Sequence, residues 1–291
     1  MILTKKILMI EPVGFRFNEE TAADNVFQQR SDSKSIKSEF ENFQLVLSQA
    51  GIEITTLHPS DSQTPDAVFP NNWFSTFPDK SFFIYPMKTS NRRSEKRSSF
   101  IKSIEKNYSS TIDLSYLEKE NSILEGTGSL IIDHQLKVAF ASLSERTNKE
   151  AIKIWSEKTN YRCVSFHSSD QSGEPIYHTN VMMTLAADFA IICMEGILND
   201  ERAFVKKEIE QSGRTIIDIS FAQMNNMCGN CLALTNDKNE KLLIMSERAF
   251  YHFTKEQRAE IERTCRIISS PLTEIENIGG GSARCMIAEL F

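Results

Sequence analysis

Four side chains in this sequence have the types and settings that nucleophilic catalysis uses. Cys285 follows the run Gly279-Gly280-Gly281-Ser282-Ala283-Arg284 and heads the apolar stretch Met286-Ile287-Ala288. Glycines adopt backbone angles closed to other residues and let a substrate approach the main chain, so a thiol placed after them can face a cavity. A cysteine is mostly un-ionised at neutral pH and needs a nearby base or cation, with an electrophilic carbon held in reach. His178, in Tyr177-His178-Thr179-Asn180-Val181, stands where a polar turn enters an apolar strand. It could act as acid for a leaving amine and then as base for water. Glu125 opens Glu125-Gly126-Thr127-Gly128, where the glycines free the carboxylate to project inward and orient the imidazole through its ring N–H. Arg146, in Ser144-Glu145-Arg146-Thr147-Asn148, carries a planar fork suited to a substrate carboxylate, ahead of a helix that Asn148 is placed to cap. Each residue has a plainer reading: an inert buried thiol, a structural histidine, a solvated turn carboxylate, and a surface arginine paired with Glu145. His58, His134 and His252 fall in polar connections and His167 follows a strand, so none has a placement comparable to that of His178.

The elements that must position these groups recur about every 50 to 60 residues as a strand pair, a helix and a further strand. A first strand over 6–11 is followed by a helix over 35–50 and a strand over 53–58. The second round has strands over 67–75 and 81–85, a helix over 94–106 and a strand over 110–114. The third has strands over 129–133 and 137–141, a helix over 148–159 and a strand over 162–166. The fourth has strands over 181–185 and 189–194, a helix over 200–212 and a strand over 215–218. The fifth has strands over 231–235 and 241–245, a helix over 254–264 and a strand over 266–269, and a terminal strand after Cys285 closes the ring. One α/β domain over residues 1–291 is therefore expected. In such a repeat the starts of the first strands share one end of the structure. These starts supply Asp66, Asn71, Asn72, Glu125, His178, Asn180, Asn230 and Cys285. Asn and Asp commonly initiate turns, but so many converging with a cysteine points to a site.

A net charge of -6 argues against a nucleic-acid partner, which would require a concentrated basic face. The one basic run, Asn91 to Arg97, reads as a solvated loop or helix start. No apolar stretch approaches the roughly 20 residues that span a bilayer. The first residues read as a strand and not as a signal peptide, so no membrane partner and a cytoplasmic location are expected. The six cysteines read as reduced. Cys228 and Cys231 have metal or redox spacing but no second pair to complete four ligands, so they read as a packed turn.

Together these motifs resemble the guanidine-modifying amidinotransferase superfamily and its pentein fold, a five-bladed α/β propeller. Within it the chain is most similar to the group of citrulline-utilisation hydrolases. The likeness runs through Asn25-Val26-Phe27-Gln28, Pro65-Asp66 to Trp73-Phe74, Glu125-Gly126, Ser144 to Asn148, His178, Met227 to Cys231 and the glycine-led Cys285. The resemblance implies that Cys285 attacks the central carbon of a guanidinium, that His178 is acid and base beside Glu125, and that Arg146 clamps the α-carboxylate. It implies no metal and no organic cofactor. Where similar enzymes carry acidic residues, this chain has Asn71, Asn72 and Asn180. An amide accepts hydrogen bonds from a guanidinium and also donates to a carbonyl, which a carboxylate cannot do. The expected ligand is thus a small guanidino or ureido amino acid, with Asp66 set to meet an ammonium or the reacting nitrogen and Asn230 lining the same site. A transferase passing the amidino group to an amine shares this chemistry, and a non-catalytic propeller scaffold would lack the nucleophile. A papain-like protease would place its cysteine at a helix start. A homodimer is compatible with the sequence. The loop over 14–34 is too long and polar for a simple connection and is expected to cover the pocket.

Overall fold

The computed structural model describes residues 1–31 and 35–291, so the last part of the expected covering loop, residues 32–34, lies outside the described residues. The first sheet is built from β1 (Lys6–Ile10) and β2 (Glu53–Leu57), joined through helix α1 (Ile36–Gln49). The second contains β3 (Phe74–Thr76), β4 (Ser81–Ile84) and β5 (Ser110–Asp113), with helices α2 (Ser90–Arg93) and α3 (Ser98–Glu105) in its crossover. A short helix α4 (Gly126–Ser129) introduces the third: β6 (Ile131–Asp133), β7 (Val138–Leu143), helix α5 (Lys149–Thr159) and β8 (Arg162–His167). Helix α6 (Thr179–Met182) introduces the fourth: β9 (Met183–Leu185), β10 (Phe189–Ile192), helix α7 (Asn199–Gln211) and β11 (Thr215–Asp218). Helix α8 (Phe221–Met224) precedes the fifth: β12 (Leu232–Thr235), β13 (Lys241–Ser246), helices α9 (Glu247–His252) and α10 (Lys255–Glu262), and β14 (Arg266–Ser270). Helix α11 (Thr273–Gly279) then leads to β15 (Ala288–Glu289).

Among the described residues the strands form five three-stranded sheets of one design. The middle strand pairs antiparallel with one neighbour and parallel with the other, the parallel partner following a helical crossover as that geometry requires. In the first sheet the two ends of the chain meet: β15 lies antiparallel to β1, with Leu8 opposite Ala288. Helices cover the sheets with apolar stripes at helical spacing, Phe40, Phe43 and Leu47 on α1 and Ala151, Ile152 and Trp155 on α5. Thr254 and Gln257 form a reciprocal capping box that fixes the start of α10.

The structure departs from the expected elements most at the first strands of the second, third and fourth units. Residues 67–75 do not form one strand: Pro70–Asn72 make a 3-10 turn and pairing starts at Phe74. The strands expected from 129 and 181 likewise begin as the helical turns α4 and α6, and Cys285 sits in a turn three residues before β15. Proline at the head of the 70–72 turn and Gly126 at φ 46° both favour a tight turn over continued pairing. The polar residues of these segments therefore belong to turns that cap short inner strands. α4 packs against both the 70–72 turn and α6, while β6 lies against β9, β9 against β12, and β15 against β3. The helix expected over 94–106 is shortened to α3, and helices α2, α9 and α11 lie outside the expected elements. Asn148 stands at the N-cap of α5 as expected, but its side chain makes no capping bond; its Oδ1 accepts the backbone N–H of Ile123.

Candidate active site

The thiol is set by the turn after the glycine run. The N–H of Cys285 donates to the carbonyl of Ser282 at 2.9 Å, and Gly280 at φ 64° makes the bend. A Cβ at Gly280 would fall 2.6 Å from the amide of Asn25, so glycine is required both for its angle and for the approach of that chain. Cys285 is 6% exposed. Two amide groups reach its sulfur: Asn230 Nδ2 at 3.3 Å and Asn180 Nδ2 at 3.5 Å.

His178 and Glu125 are the residues that enter α6 and α4, so the packing of those two turns brings them together. His178 Nε2 lies 2.9 Å from Glu125 Oε2, both side chains being buried. Burial would raise the Glu125 carboxyl, but the Arg146 guanidinium, the His178 bond and the Arg92 charge hold it well below the usual range. Its other oxygen accepts the backbone N–H of Lys88 at 3.0 Å, and Arg146 Nη1 stands 3.6 Å from Oε2. An ionised carboxylate requires a donor, so Nε2 carries the imidazole proton and Nδ1 keeps the lone pair. Burial pushes His178 down against the opposing pull of Glu125, which favours the neutral ring. A Cβ on Gly128 would stand 2.9 Å from His178 Nδ1 and 2.3 Å from Asn72 Nδ2. The missing side chain therefore leaves these two polar atoms room beside each other.

Asp66, Asn72, Arg92, Arg146, Tyr177, His178 and Cys285 line one pocket with Asn25, Phe69, Gly279 and Gly281. Its polar groups are partly committed. Asp66 Oδ2 accepts from Asn18 Nδ2 at 2.7 Å and Thr21 Oγ1 at 3.0 Å, while Oδ1 has no partner among the described residues. Burial pushes the Asp66 carboxyl up, against the pull of Arg92. Arg92 Nη1 donates to Asn72 Oδ1 at 2.7 Å, which fixes that oxygen and leaves Asn72 Nδ2 as a buried donor without a partner among the described residues. Asn180 Oδ1 is likewise a buried acceptor without a partner among them.

The loop expected to cover the pocket does so in its described part. Besides holding Asp66, it sends Asp24 to Arg146 and, at 2.7 Å, to Lys88 Nζ. Asn25 and Gln28 donate to the carbonyl of Gly279 at 3.2 and 3.1 Å. The pocket has a volume of about 20 Å³, room for about one water and too small as it stands for an amino-acid ligand. A larger cleft of about 320 Å³ lies on the outer side, sharing Tyr177 and bordered by Asp24 and Phe27.

The structure thus gathers Cys285, His178, Glu125, Asp66, Asn72, Arg146, Asn180 and Asn230 in one place. Asn71 is buried beside them but does not line the pocket, and its amide has no partner among the described residues. Arg146 is not a surface residue paired with Glu145, which pairs with Lys88 instead; it is 2% exposed and bound to Asp24. The 91–97 run is not simply solvated, since Arg92 and Glu95 form a buried bidentate pair at 2.9 Å. Arg92 was missed because a charge run normally reads as surface, and its partner three residues on was the one available signal. His134, expected in a polar connection, is buried against Phe77 and Phe291.

Comparison with known proteins gives first the class, a member of the pentein superfamily. The model of the family described as N,N dimethylarginine dimethylhydrolase, eukaryotic, matches residues 11–291, and the chain belongs to that family. Among solved structures it is similar to ArgZ, an arginine dihydrolase from the ornithine-ammonia cycle in cyanobacteria, with TM-score 0.77 and 15% identity over 97% of this chain. The match spans 40% of that longer protein. The N-terminal domain of ArgZ bound to substrate is covered over 97% of its length and 98% of this chain, with 15% identity and TM-score 0.76. A cysteine-to-serine variant of DDAH from Pseudomonas aeruginosa complexed with citrulline gives TM-score 0.71 and 17% identity, covering 99% of this chain and all of that one. At these identities the likeness establishes the fold. No curated protein sequence matches the chain. No helix among the described residues is long and apolar enough to cross a membrane.

Proposed function

We propose that this protein is a cysteine hydrolase acting on the guanidino or ureido group of an arginine- or citrulline-like amino acid, through a covalent Cys285 adduct, with release of ammonia. The observation that carries the reading is one small pocket holding a thiol contacted by amides, an imidazole bound to a buried carboxylate, and separate groups for a substrate's two ends. Asp66 Oδ1 meets the ammonium or a reacting nitrogen, and Arg146 meets the carboxylate. His178 Nδ1 takes the thiol proton, and Glu125 stabilises the imidazolium so formed. Cys285 Sγ adds to the central carbon, forming the S–C bond while the C=N or C=O pair moves to the heteroatom. Collapse of that adduct re-forms the double bond and expels ammonia with the proton from His178. Water, deprotonated by His178, then adds to the S-bound carbon, and Sγ leaves as thiolate. These steps use groups of the chain and water alone. The scaffold we propose is a single domain, a five-bladed α/β propeller, supported by the five like sheets, the contacts between their inner strands and the closure of β15 on β1.

The unpartnered Asn72 Nδ2 favours a ureido group. A guanidinium offers only donors, which Asp66 Oδ1 and Asn180 Oδ1 can accept, whereas a ureido carbonyl also takes the Asn72 donor. A structure with citrulline bound among the similar proteins fits this choice, while an arginine dihydrolase among them fits a guanidino substrate. For a ureido substrate the second step leaves a carbamate that breaks down to the amine and carbon dioxide. The test is incubation with arginine, citrulline, agmatine, N-succinylarginine and methylated arginines, scoring ammonia and ureido products beside Cys285→Ala. Turnover lost in the variant supports the cysteine mechanism. Strict preference for arginine would reject the ureido version, and no turnover of any of them would reject this substrate class.

A further inference from the structure

The amide of Asn230 has only one orientation open to it. Its Oδ1 accepts the backbone N–H of Arg284 at 3.2 Å, a group that can only donate, so the oxygen must stand on that side. Nδ2 donates to the carbonyl of Asn180 at 3.0 Å and faces Cys285 Sγ at 3.3 Å. The residue is 2% exposed. Gly229 beside it lets the two segments touch, since a Cβ there would strike the carbonyl of Val181 at 2.2 Å. The neutral thiol can instead donate to Asn230 Oδ1, but at the longer distance of 3.6 Å. Among the described residues, the donors that hydrogen-bond to Sγ are this amide and that of Asn180 at 3.5 Å. A donor fixed on a sulfur that must become anionic interacts more strongly with the ion than with the thiol. An Asn230 that donated to substrate would instead need a free N–H, and the bonds to the Asn180 carbonyl and to Sγ commit both.

We infer that Asn230 is a catalytic residue whose locked N–H, with that of Asn180 beside it, stabilises the Cys285 thiolate. The consequence for turnover rests on the cysteine hydrolase reading; the contact with sulfur does not. Ionisation passes the thiol proton to His178 Nδ1 or to solvent, and no bond other than S–H breaks. Asp66, Arg92, Arg146, Tyr177 and His178 face the same pocket, Arg284 adjoins the sulfur in sequence, and all are kept in the variants below.

The experiment measures iodoacetamide alkylation of Cys285 by mass spectrometry across pH, in the full chain, for the parent, Asn230→Asp and Asn180→Ala. Asn230→Asp keeps the acceptor for Arg284 N–H and turns an acceptor oxygen toward the sulfur. A charge-assisted hydrogen bond is worth about 1.5–3 kcal/mol, so the variant's alkylation should fall about tenfold or more at neutral pH. Its pH midpoint should move up by about one unit, the rates converging in alkali. Asn180→Ala should shift in the same direction by less. In turnover, kcat should fall in Asn230→Asp while KM changes little. Alkylation curves that overlay the parent, with KM raised, would overturn the inference and return Asn230 to substrate binding. If Asn230→Asp does not fold, Asn230→Ser is read by the same two criteria. A parent that alkylates as described but turns over no substrate would reject the proposed function and leave the thiolate contact standing.

Discussion

Replacing Gly128 by alanine tests the geometry of the site with a single methyl group. Gly128 lies in α4 and its φ is not positive, so the backbone accepts alanine, and helix propensity alone would favour the change by about 1 kcal/mol. The added Cβ would stand 2.3 Å from Asn72 Nδ2 and 2.9 Å from His178 Nδ1 and Cε1, where ordinary contact begins at 3.4 Å. Relief requires Asn72 to retreat by about 1 Å and His178 by about half that, and misplacement on this scale can cost about 100-fold in rate. Asn72 is held by Arg92 and His178 by Glu125, both buried, so neither retreats freely. Overpacking of this kind costs about 1–3 kcal/mol, which outweighs the propensity gain. The expected outcome is a kcat about 100-fold lower with stability reduced by no more than about 2 kcal/mol. Gly196→Ala is the control, because a Cβ there has its nearest neighbours at 3.4 Å. Ammonia release under saturating substrate and urea unfolding supply the two numbers. A Gly128→Ala enzyme within about threefold of the parent would refute the placement of Asn72 and His178 against one another.

Two further outcomes follow from groups outside the chemical step. His134 is held down to about 4 by burial, against a partial opposing pull from Asp133 and Asp79. The unfolded chain therefore binds a proton that the folded one does not, and the stability contribution, complete above pH 6.5, is lost as pH falls toward 4. Urea unfolding at pH 7 and pH 5 should show the parent losing about 2 kcal/mol more than His134→Phe over that interval, and parallel losses would show that His134 does not carry the effect. Asp24→Asn removes the charge that ties the covering loop to Arg146 and Lys88, so iodoacetamide should reach Cys285 about tenfold faster. An unchanged rate would mean that this ion pair does not control access to the thiol.

What could be read from the sequence follows physical range. The middle and outer strands of the sheets carry uninterrupted apolar or β-branched runs, such as Thr215–Asp218, where expected and observed bounds coincide. The inner strands are only two to four residues long and are preceded by polar turns, so alternation had too few residues to separate strand from helical turn. Cys285, His178 and Glu125 were legible because their chemistry is rare in apolar surroundings and because glycines marked close approach at 126, 128 and 280. Arg92 and Asp24 were not. Arg92 sits among charges that normally face solvent, and its burial depends on the carbonyl of Phe69 and the amide of Asn72, which are more than 20 residues away in sequence or nearly so. Asp24 reads as an ordinary loop carboxylate until Arg146 is placed 122 positions on.

The covering loop uses the same two groups that the proposed reaction assigns to the ends of the substrate. Asn18 and Thr21 hold one oxygen of Asp66, and Asp24 holds the fork of Arg146, so the closed loop presents a donor to the acid and a carboxylate to the base. An amino acid brings the same pair of charges as one molecule. Arg146 is therefore not an empty clamp awaiting a carboxylate: a substrate carboxylate must share the guanidinium with Asp24 or displace it. Arg146 Nη1, whose close partner among the described residues is Glu125 Oε2 at 3.6 Å, is the part of the fork left for sharing. Displacement would instead uncover Asp24 next to Lys88 and Glu145, where Lys88 already neutralises it. Because opening exchanges one buried ion pair for another, its cost falls when a zwitterionic ligand is present, and the loop can stay shut over an empty pocket without becoming a barrier to its own substrate.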